Sequence, residues 1–368
     1  MLSHAIYFQL LLALSTYQFI NLLTKNPKTM IRICTYNIEW FNDIFNADNT
    51  LKQFNTAVKK EKELDEKRQA VITVLQTVLP DIVGIVEAPN TTTTSGAQDC
   101  AIKLKNFMNS FGWTNYEVCM GYISRGQQEL AIIYNADKVT VTHVPGGDPK
   151  TKSNPPFDAE LYFDTDDDDI EEVYTMYRPP LEAEVVVKAT GEKFRVMVVH
   201  AKSKAIFSAT DRVHFDRMST TNRRKLYAEC AWIRKRVEEW QTVGHRVIVL
   251  GDMNDGPGMD YYEATFGKSA VELIMGDIFD RERILIHHGG RPKWGPYGWE
   301  PSSTNFTDPF TNRKVNAQID HILSAASIPI INKSYRIWNP NELNDAKAIS
   351  AQLKNASDHY PVTLDLDL

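Results

Sequence analysis

The feature that most restricts the fold is a series of short apolar runs, each ending in a polar side chain. DIVGIV, residues Asp81 to Val86, runs into Glu87; FRVMVV runs into His200; VIVL runs into GDMND, with Asp252 and Asn254. Nearly continuous apolar runs of this length have the look of strands covered on both faces. Further strands are expected over Ile31 to Tyr36, Tyr116 to Met120, Leu130 to Tyr134, Val139 to Val144, Leu181 to Val187, Gln318 to Leu323 and Pro361 to Leu366. Thr190-Gly191 reads as a hairpin turn. Helical spacing predicts helices over Leu51 to Leu79, Ala101 to Phe111 and Ser219 to Trp240. The Pro-, Gly- and Asp-rich stretch from Pro145 to Asp169 reads as a solvated loop, its acidic run Asp166 to Asp169 included.

Strands and helices alternate without a repeat or a linker-like break, which predicts one α/β domain over residues 30–368. The composition, 43% hydrophobic and 24% charged, excludes collagen-like, disordered and polytopic membrane chains. A net charge of -6 means that a nucleic-acid partner would need a local basic patch or a bound metal. Cys34, Cys100, Cys119 and Cys230 form no C-x-x-C pair and read as small buried hydrophobes.

Residues 1–29 read as a leader. Ala5 to Leu23 is apolar but carries Gln9, Ser15, Thr16, Gln18 and Asn21, and no Lys or Arg precedes it. Three readings stand, in this order: a translation-start artefact or disordered leader, an anchor, and a cleaved signal. A start at Met30 leaves a cytoplasmic protein. An anchor, with Lys25, Lys28 and Arg32 after it, also leaves the body cytoplasmic.

The polar residues at strand ends are Asn37, Glu39, Glu87, Arg178, His200, Asp252, Asn254, Asp320, Asp358 and His359. Singly, each is often a helix cap or a turn residue. Together they sit where an α/β scaffold displays ligand-binding groups.

This constellation resembles the DNase-I-like endonuclease/exonuclease/phosphatase superfamily from Met30 to Leu368, with GDMND and SDHYP its most specific pieces. YRPPL, VHAKSK and GDMND together resemble the secreted and bacterial DNase-like nuclease branch; the apurinic-site repair branch has Tyr where Arg178 falls. The resemblance implies a four-layer α/β sandwich, two facing mixed sheets flanked by helices. It implies metal-dependent phosphodiester hydrolysis, of DNA or RNA, with inositol phosphates, sphingomyelin or nucleotides as the alternative substrates. No stable protein partner is indicated.

Such hydrolysis needs an activated water and charge neutralisation on the phosphoryl oxygens. Hard cations, Mg²⁺ or Mn²⁺ with Ca²⁺ possible, prefer carboxylate and amide oxygens. By the resemblance, Glu87 is the first metal ligand and Glu39 a second, with Asn37 on metal water or phosphate and Asp358 a direct or indirect ligand. Asp320 and His359 resemble the buried carboxylate–imidazole pair. Asp252 would orient or deprotonate water, Asn254 would hold a non-bridging oxygen, and Arg178 would clamp phosphate. His200 is the candidate general acid, with Gln128 at its partner position and Glu129 beside it.

Lys202 and Lys204 are placed to contact flanking phosphates, whereas Arg223, Arg224 and Lys225 read as a charged solvent face. Trp294, Tyr297 and Trp299 either stack on substrate or pack a long loop. His321 would point away from Asp320, and His287 and His288 receive no role.

Overall fold

The computed structural model describes residues 28–92, 98–206, 208–256, 258–289, 301–307 and 312–368. Strand β1 (Met30–Asn37) is followed by helix α1 (Lys59–Val78), β2 (Ile82–Ala88) and α2 (Gln98–Ser110). Next come β3 (Tyr116–Met120), β4 (Glu129–Asn135), β5 (Val139–His143) and a small hairpin, β6 (Leu161–Phe163) with β7 (Glu172–Tyr174). Strands β8 (Leu181–Val187) and β9 (Lys193–His200) lead to the long helix α3 (Arg212–Thr242), β10 (Val247–Asp252) and α4 (Ala270–Met275). Then follow β11 (Leu285–His287), β12 (Thr304–Thr307), β13 (Lys314–Ala317) and β14 (Asp320–Ala325). The chain closes with β15 (Arg336–Ile337), α5 (Asn344–Lys347), α6 (Ser350–Ala356) and β16 (Val362–Asp367).

One six-stranded sheet has the order β15-β16-β1-β2-β4-β3, the other β11-β14-β10-β9-β8-β5. Each is mixed. In the first sheet β1 is parallel to β2 and antiparallel to β16; in the second β10 is parallel to β9 and antiparallel to β14. The sheets pack face to face and carry helices on their outer faces, which is the four-layer sandwich expected.

Strand alternation explains both the core and the site. On β9 and β10, Val196, Val198, Ile248 and Leu250 pack toward the first sheet, while Met197, Val199, Val247 and Val249 pack with Leu226, Cys230, Ile233 and Val237 of α3. The same parity carries His200 and Asp252 to the inner side. Gly84, in the middle of DIVGIV, lets the layers close: a Cβ there would lie 2.2 Å from Leu250 Cδ1. The four cysteines are buried thiols.

Several boundaries differ from expectation. The first helix begins at Lys59, not Leu51, because residues 51–58 fold back on the loop after β1: Leu51 bridges Phe45, and Lys52 N donates to Ile44 O. Helix α3 begins at Arg212 rather than Ser219, capped by Asp211, whose Oδ1 accepts from His214 N at 2.8 Å. The stretch read as a solvated loop holds β6. Nor is α3 charged on its solvent face alone, because Arg236 is fully buried on Glu182. Just before β1, Thr29 exchanges backbone hydrogen bonds with Leu368. Residues 1–27 of the expected leader, and Trp294, Tyr297 and Trp299, lie outside the described residues. Among the described residues no helix is long and apolar enough to cross a membrane.

Candidate active site

The strand ends meet at one edge of the sandwich. Register places Asp252 opposite His200 on one side and Asp320 on the other. Position 251 must be glycine for β10 to reach that edge: its φ is 142°, and a Cβ would lie 1.9 Å from Val199 O. Asp320 shares the inner parity of Ile322, so His321 turns outward, where its Nδ1 meets His287 Nε2 at 2.9 Å.

Glu87 needs a special device. Gly84 faces inward, so simple alternation would turn Glu87 to the outer face. A register shift between Ile85 and Ala88, with Glu87 at φ 60°, redirects the carboxylate to the shared edge. Its Oε2 accepts from Trp40 N at 3.1 Å.

Asn37 links the two sheets. Its Nδ2 lies 3.3 Å from Glu87 Oε1 and 3.2 Å from Asp252 Oδ2. Its Oδ1 accepts from Glu39 N at 3.0 Å, and its backbone carbonyl accepts from Ser357 Oγ at 2.8 Å. Ser357 in turn accepts from His359 N at 3.1 Å. His359 Nδ1 lies 2.8 Å from Asp320 Oδ2, which also accepts from Ser303 Oγ at 2.8 Å. The other imidazole nitrogen, Nε2, stands 3.9 Å from Asp252 Oδ2 and 3.8 Å from Asp358 Oδ1. Asn254, at φ 51°, donates its backbone N–H to Asp252 Oδ1 at 2.9 Å and its Nδ2 to Ala201 O at 3.0 Å.

Burial raises the pKa of Asp252, and the neighbouring Asp320 carboxylate raises it further. Burial lowers that of His359, but Asp320, Asp252 and Asp358 outweigh it and raise the imidazole to about 10. The three carboxylates thus favour the charged form of the ring. Burial also raises Glu87 and Asp358. His200 is held well below its ordinary value by burial, with Arg178 and His359 adding to the effect. Its Nε2 lies 3.7 Å from Asp252, and its Nδ1 is buried without a partner among the described residues.

The remaining expected residues fall in several places. Arg178 donates to Gln128 Oε1 through Nε at 3.1 Å and Nη2 at 2.6 Å, and the charges of Glu87 and Asp252 act on it. Gln128 is thus the partner of Arg178, not of His200, and Glu129 bonds Thr91 and Ser124. Glu39 turns to Lys67, 3.2 Å away. Lys204 is not available to flanking phosphates, because it is held between Asp255 at 2.6 Å and Glu263 at 2.8 Å. Arg223 is paired with Asp260, and Arg224 with Asp166.

Three contributors are not among the expected site residues, although Ser357 lies in a motif. Ser303 lies in no motif. Ser357 is the first residue of SDHYP. Glu229 looks like half of a solvent pair with Lys225, yet it is buried, its Oε2 accepts from Lys202 N at 2.8 Å, and burial raises its pKa to about 7.

The residues fit a divalent cation. Asp252, Asp320 and His359 bring two carboxylates and an imidazole within 4.8 Å of one another, and since His359 Nδ1 is taken by Asp320, the groups left for a cation are the carboxylate oxygens of this edge. Four carboxyl groups (Glu87, Asp252, Asp320, Asp358) gather beside His359 and Arg178, and burial works against ionising Glu87, Asp252 and Asp358 together. Asp320 Oδ1 is buried without a hydrogen-bond partner among the described residues. A hard dication suits such an oxygen-rich, electronegative edge.

The chain is similar to solved endonuclease/exonuclease/phosphatase structures. One, a family protein from Bacteroides thetaiotaomicron, is 16% identical; the match covers 93% of this chain and 99% of that one at a TM-score of 0.46. D. rerio TDP2, solved with single-strand DNA product, is 14% identical over 92% of this chain and 100% of its own, at a TM-score of 0.48. The human Nocturnin catalytic domain, with bound sulfate, is 12% identical over 94% and 99%, at a TM-score of 0.46. No family model and no curated protein matches the chain. At such identities the similarity says nothing of substrate or reaction, and the site is read from its own side chains.

Proposed function

We propose that this chain is a divalent-metal-dependent phosphodiester hydrolase acting on nucleic acid, DNA first and RNA second. The observation that carries this reading is the buried Asp320–His359 pair, whose free imidazole nitrogen stands 3.9 Å from Asp252 at the edge that also holds Glu87. His359, charged and fixed by Asp320, donates Nε2–H to a non-bridging phosphate oxygen. Asp252, oriented by Asn37 and by the Asn254 N–H, accepts the proton of the attacking water. Arg178, its fork held by Gln128, neutralises phosphate charge, and Asn254 supports a non-bridging oxygen. His200 serves as a neutral hydrogen-bonding group beside Asp252, since a buried imidazole with a depressed pKa is a poor general acid at neutral pH. Glu87 and Asp358, with Asn37 orienting Glu87 and Glu39 drawn to Lys67, would hold Mg²⁺ or Mn²⁺, which when bound would offset charge on the phosphoryl and leaving oxygens, the leaving oxygen then taking its proton from solvent.

A second reading, a small phosphoester such as an inositol phosphate, sphingomyelin or a nucleotide, is favoured by one observation. Lys204, Arg223 and Arg224 are all engaged by acids, which removes three cations from any extended phosphate track. A substrate panel decides between the two. Purified protein is assayed on plasmid DNA, single-stranded DNA, RNA and small esters, with Mg²⁺, with Mn²⁺ and with EDTA. The proposal expects EDTA-sensitive cleavage of polynucleotide that weakens steeply with salt. Full activity in EDTA contradicts the mechanism, and a flat salt response on small esters alone selects the second reading.

A further inference from the structure

The described tryptophans divide sharply. Trp232, Trp240 and Trp338 are buried and Trp113 packs against Tyr116, but Trp40 is 58% exposed. It stands three residues after Asn37, in the turn that leaves β1. Glu39 and Trp40 both adopt the left-handed region, at φ 48° and 49°, which ordinary side chains seldom occupy. Two consecutive strained residues persist only when their surroundings hold them. Here the holders are site residues: Asn37 Oδ1 accepts Glu39 N, and Glu87 Oε2 accepts Trp40 N. The turn therefore ties the backbone of Trp40 to the carboxylate that would hold the cation and leaves its indole exposed. The fold gains little packing from a ring left this open.

We propose that Trp40 is a stacking platform for the nucleobase next to the reacting phosphate, and so a substrate-binding residue. This rests on the phosphodiesterase reading above and narrows its substrate class to groups that carry a planar ring beside the phosphate. An indole face offers a base sequence-tolerant stacking and offers a bare sugar phosphate much less. Tyr177, 46% exposed and with its ring 5.4 Å from the guanidinium of the neighbouring Arg178, is the rival platform.

The test measures equilibrium binding to the full chain with Mg²⁺ by calorimetry, with a nucleoside 5′-monophosphate and with ribose 5-phosphate, alongside the hydrolysis panel. Wild type is expected to prefer the nucleotide by about ten-fold, within the range of base–aromatic stacking. Trp40→Ala should reduce that preference to about two-fold or less while leaving ribose 5-phosphate binding unchanged, and Trp40→Phe should retain most of it. Equal binding of the two ligands by wild type overturns the proposal, as does a Trp40→Ala that weakens both equally. A preference lost in Tyr177→Ala but kept in Trp40→Ala also overturns it and assigns the platform to Tyr177. Where wild type in the parallel panel shows metal-dependent hydrolysis alongside such an outcome, the phosphodiesterase reading stands and only the platform falls. Absence of both Mg²⁺-dependent phosphate binding and hydrolysis refutes that reading and the platform with it.

Discussion

Replacing Asp320 with Asn tests the centre of the site with little change in shape. The carboxylate faces His359 Nδ1 at 2.8 Å and receives Ser303 Oγ on the same oxygen. An asparagine can put its carbonyl oxygen where Oδ2 lies and keep both bonds. Its Nδ2 then occupies the place of Oδ1, which is already buried without a partner, so little hydrogen bonding is lost. What disappears is the negative charge. Two unit charges with centres ~4 Å apart interact by ~4 kcal/mol at an effective dielectric of ~20. If the transition state relies on a charged His359, ~4 kcal/mol corresponds to a fall of about 10³ in kcat/KM. The assay is initial-rate hydrolysis with Mg²⁺ on an oligonucleotide and on bis-p-nitrophenyl phosphate, with thermal unfolding alongside. The expected result is a loss of about three decades on both substrates, with a single cooperative unfolding transition retained at a melting temperature lower by up to roughly 10 °C. A variant that folds normally and retains more than a tenth of the wild-type rate would refute the role given to this pair.

Two further predictions concern stability. Arg236 and Glu182 form a fully buried ion pair, with Arg236 also donating to Pro155 O at 3.0 Å and to the half-exposed Glu239 at 3.1 Å; Glu182→Ala removes its buried counter-charge and should cost about 3 kcal/mol in urea unfolding. The double variant Glu182→Leu with Arg236→Met should recover much of that loss; no recovery would mean that the charges do not set the cost. The second prediction uses His287 and His321, which burial pushes down to about 3 and about 4. Their unfolded value is near 6.5, so below about pH 6.5 the unfolded chain binds more protons, and stability should fall as pH drops toward 4. Melting temperatures from pH 7.5 to 4.5 should therefore decline less steeply in a His287→Gln, His321→Asn variant; equal slopes would reject neutral burial of the pair.

The strands that build the site were legible because each buried run stops at a residue that cannot stay apolar, as VIVL stops at Asp252 and FRVMVV at His200. Parity also worked for His321, which turns away from Asp320. It fails at Glu87, where a bulge and a left-handed residue reverse the side that alternation predicts, and no residue type in IVEAP announces that bulge. Charge patterns misled in another way. Arg236 and Glu229 look like solvent-facing members of a charged helix, and Lys204 looks free for phosphate. Each is buried or held by a partner distant in sequence, such as Glu182, 54 positions before Arg236. Local spacing reports helical neighbours; it carries no record of which acid the fold will bring to which base.

That distinction bears on how the site is held. Local turns such as Asn254 N to Asp252 Oδ1 aim single side chains, but the contacts that set the groups against one another cross seams of the fold. Asn37 joins β1 to the carboxylates after the run in β2 and at the end of β10, and Ser357 joins β1 to the segment before β16. Ser303, before β12, fixes the head of β14 through Asp320. The groups belong to both sheets, so their spacing follows from how closely the layers pack, and that closeness depends on Gly84 beneath Leu250 and Val198. A side chain at position 84 would push the sheets apart near the middle of their shared core, about three strand residues from Glu87, and would disturb the 3.2 Å contact between Asn37 and Asp252 without touching either. The precision of this site is thus a property of sheet-to-sheet packing, with the polar residues reading out a geometry that apolar ones impose.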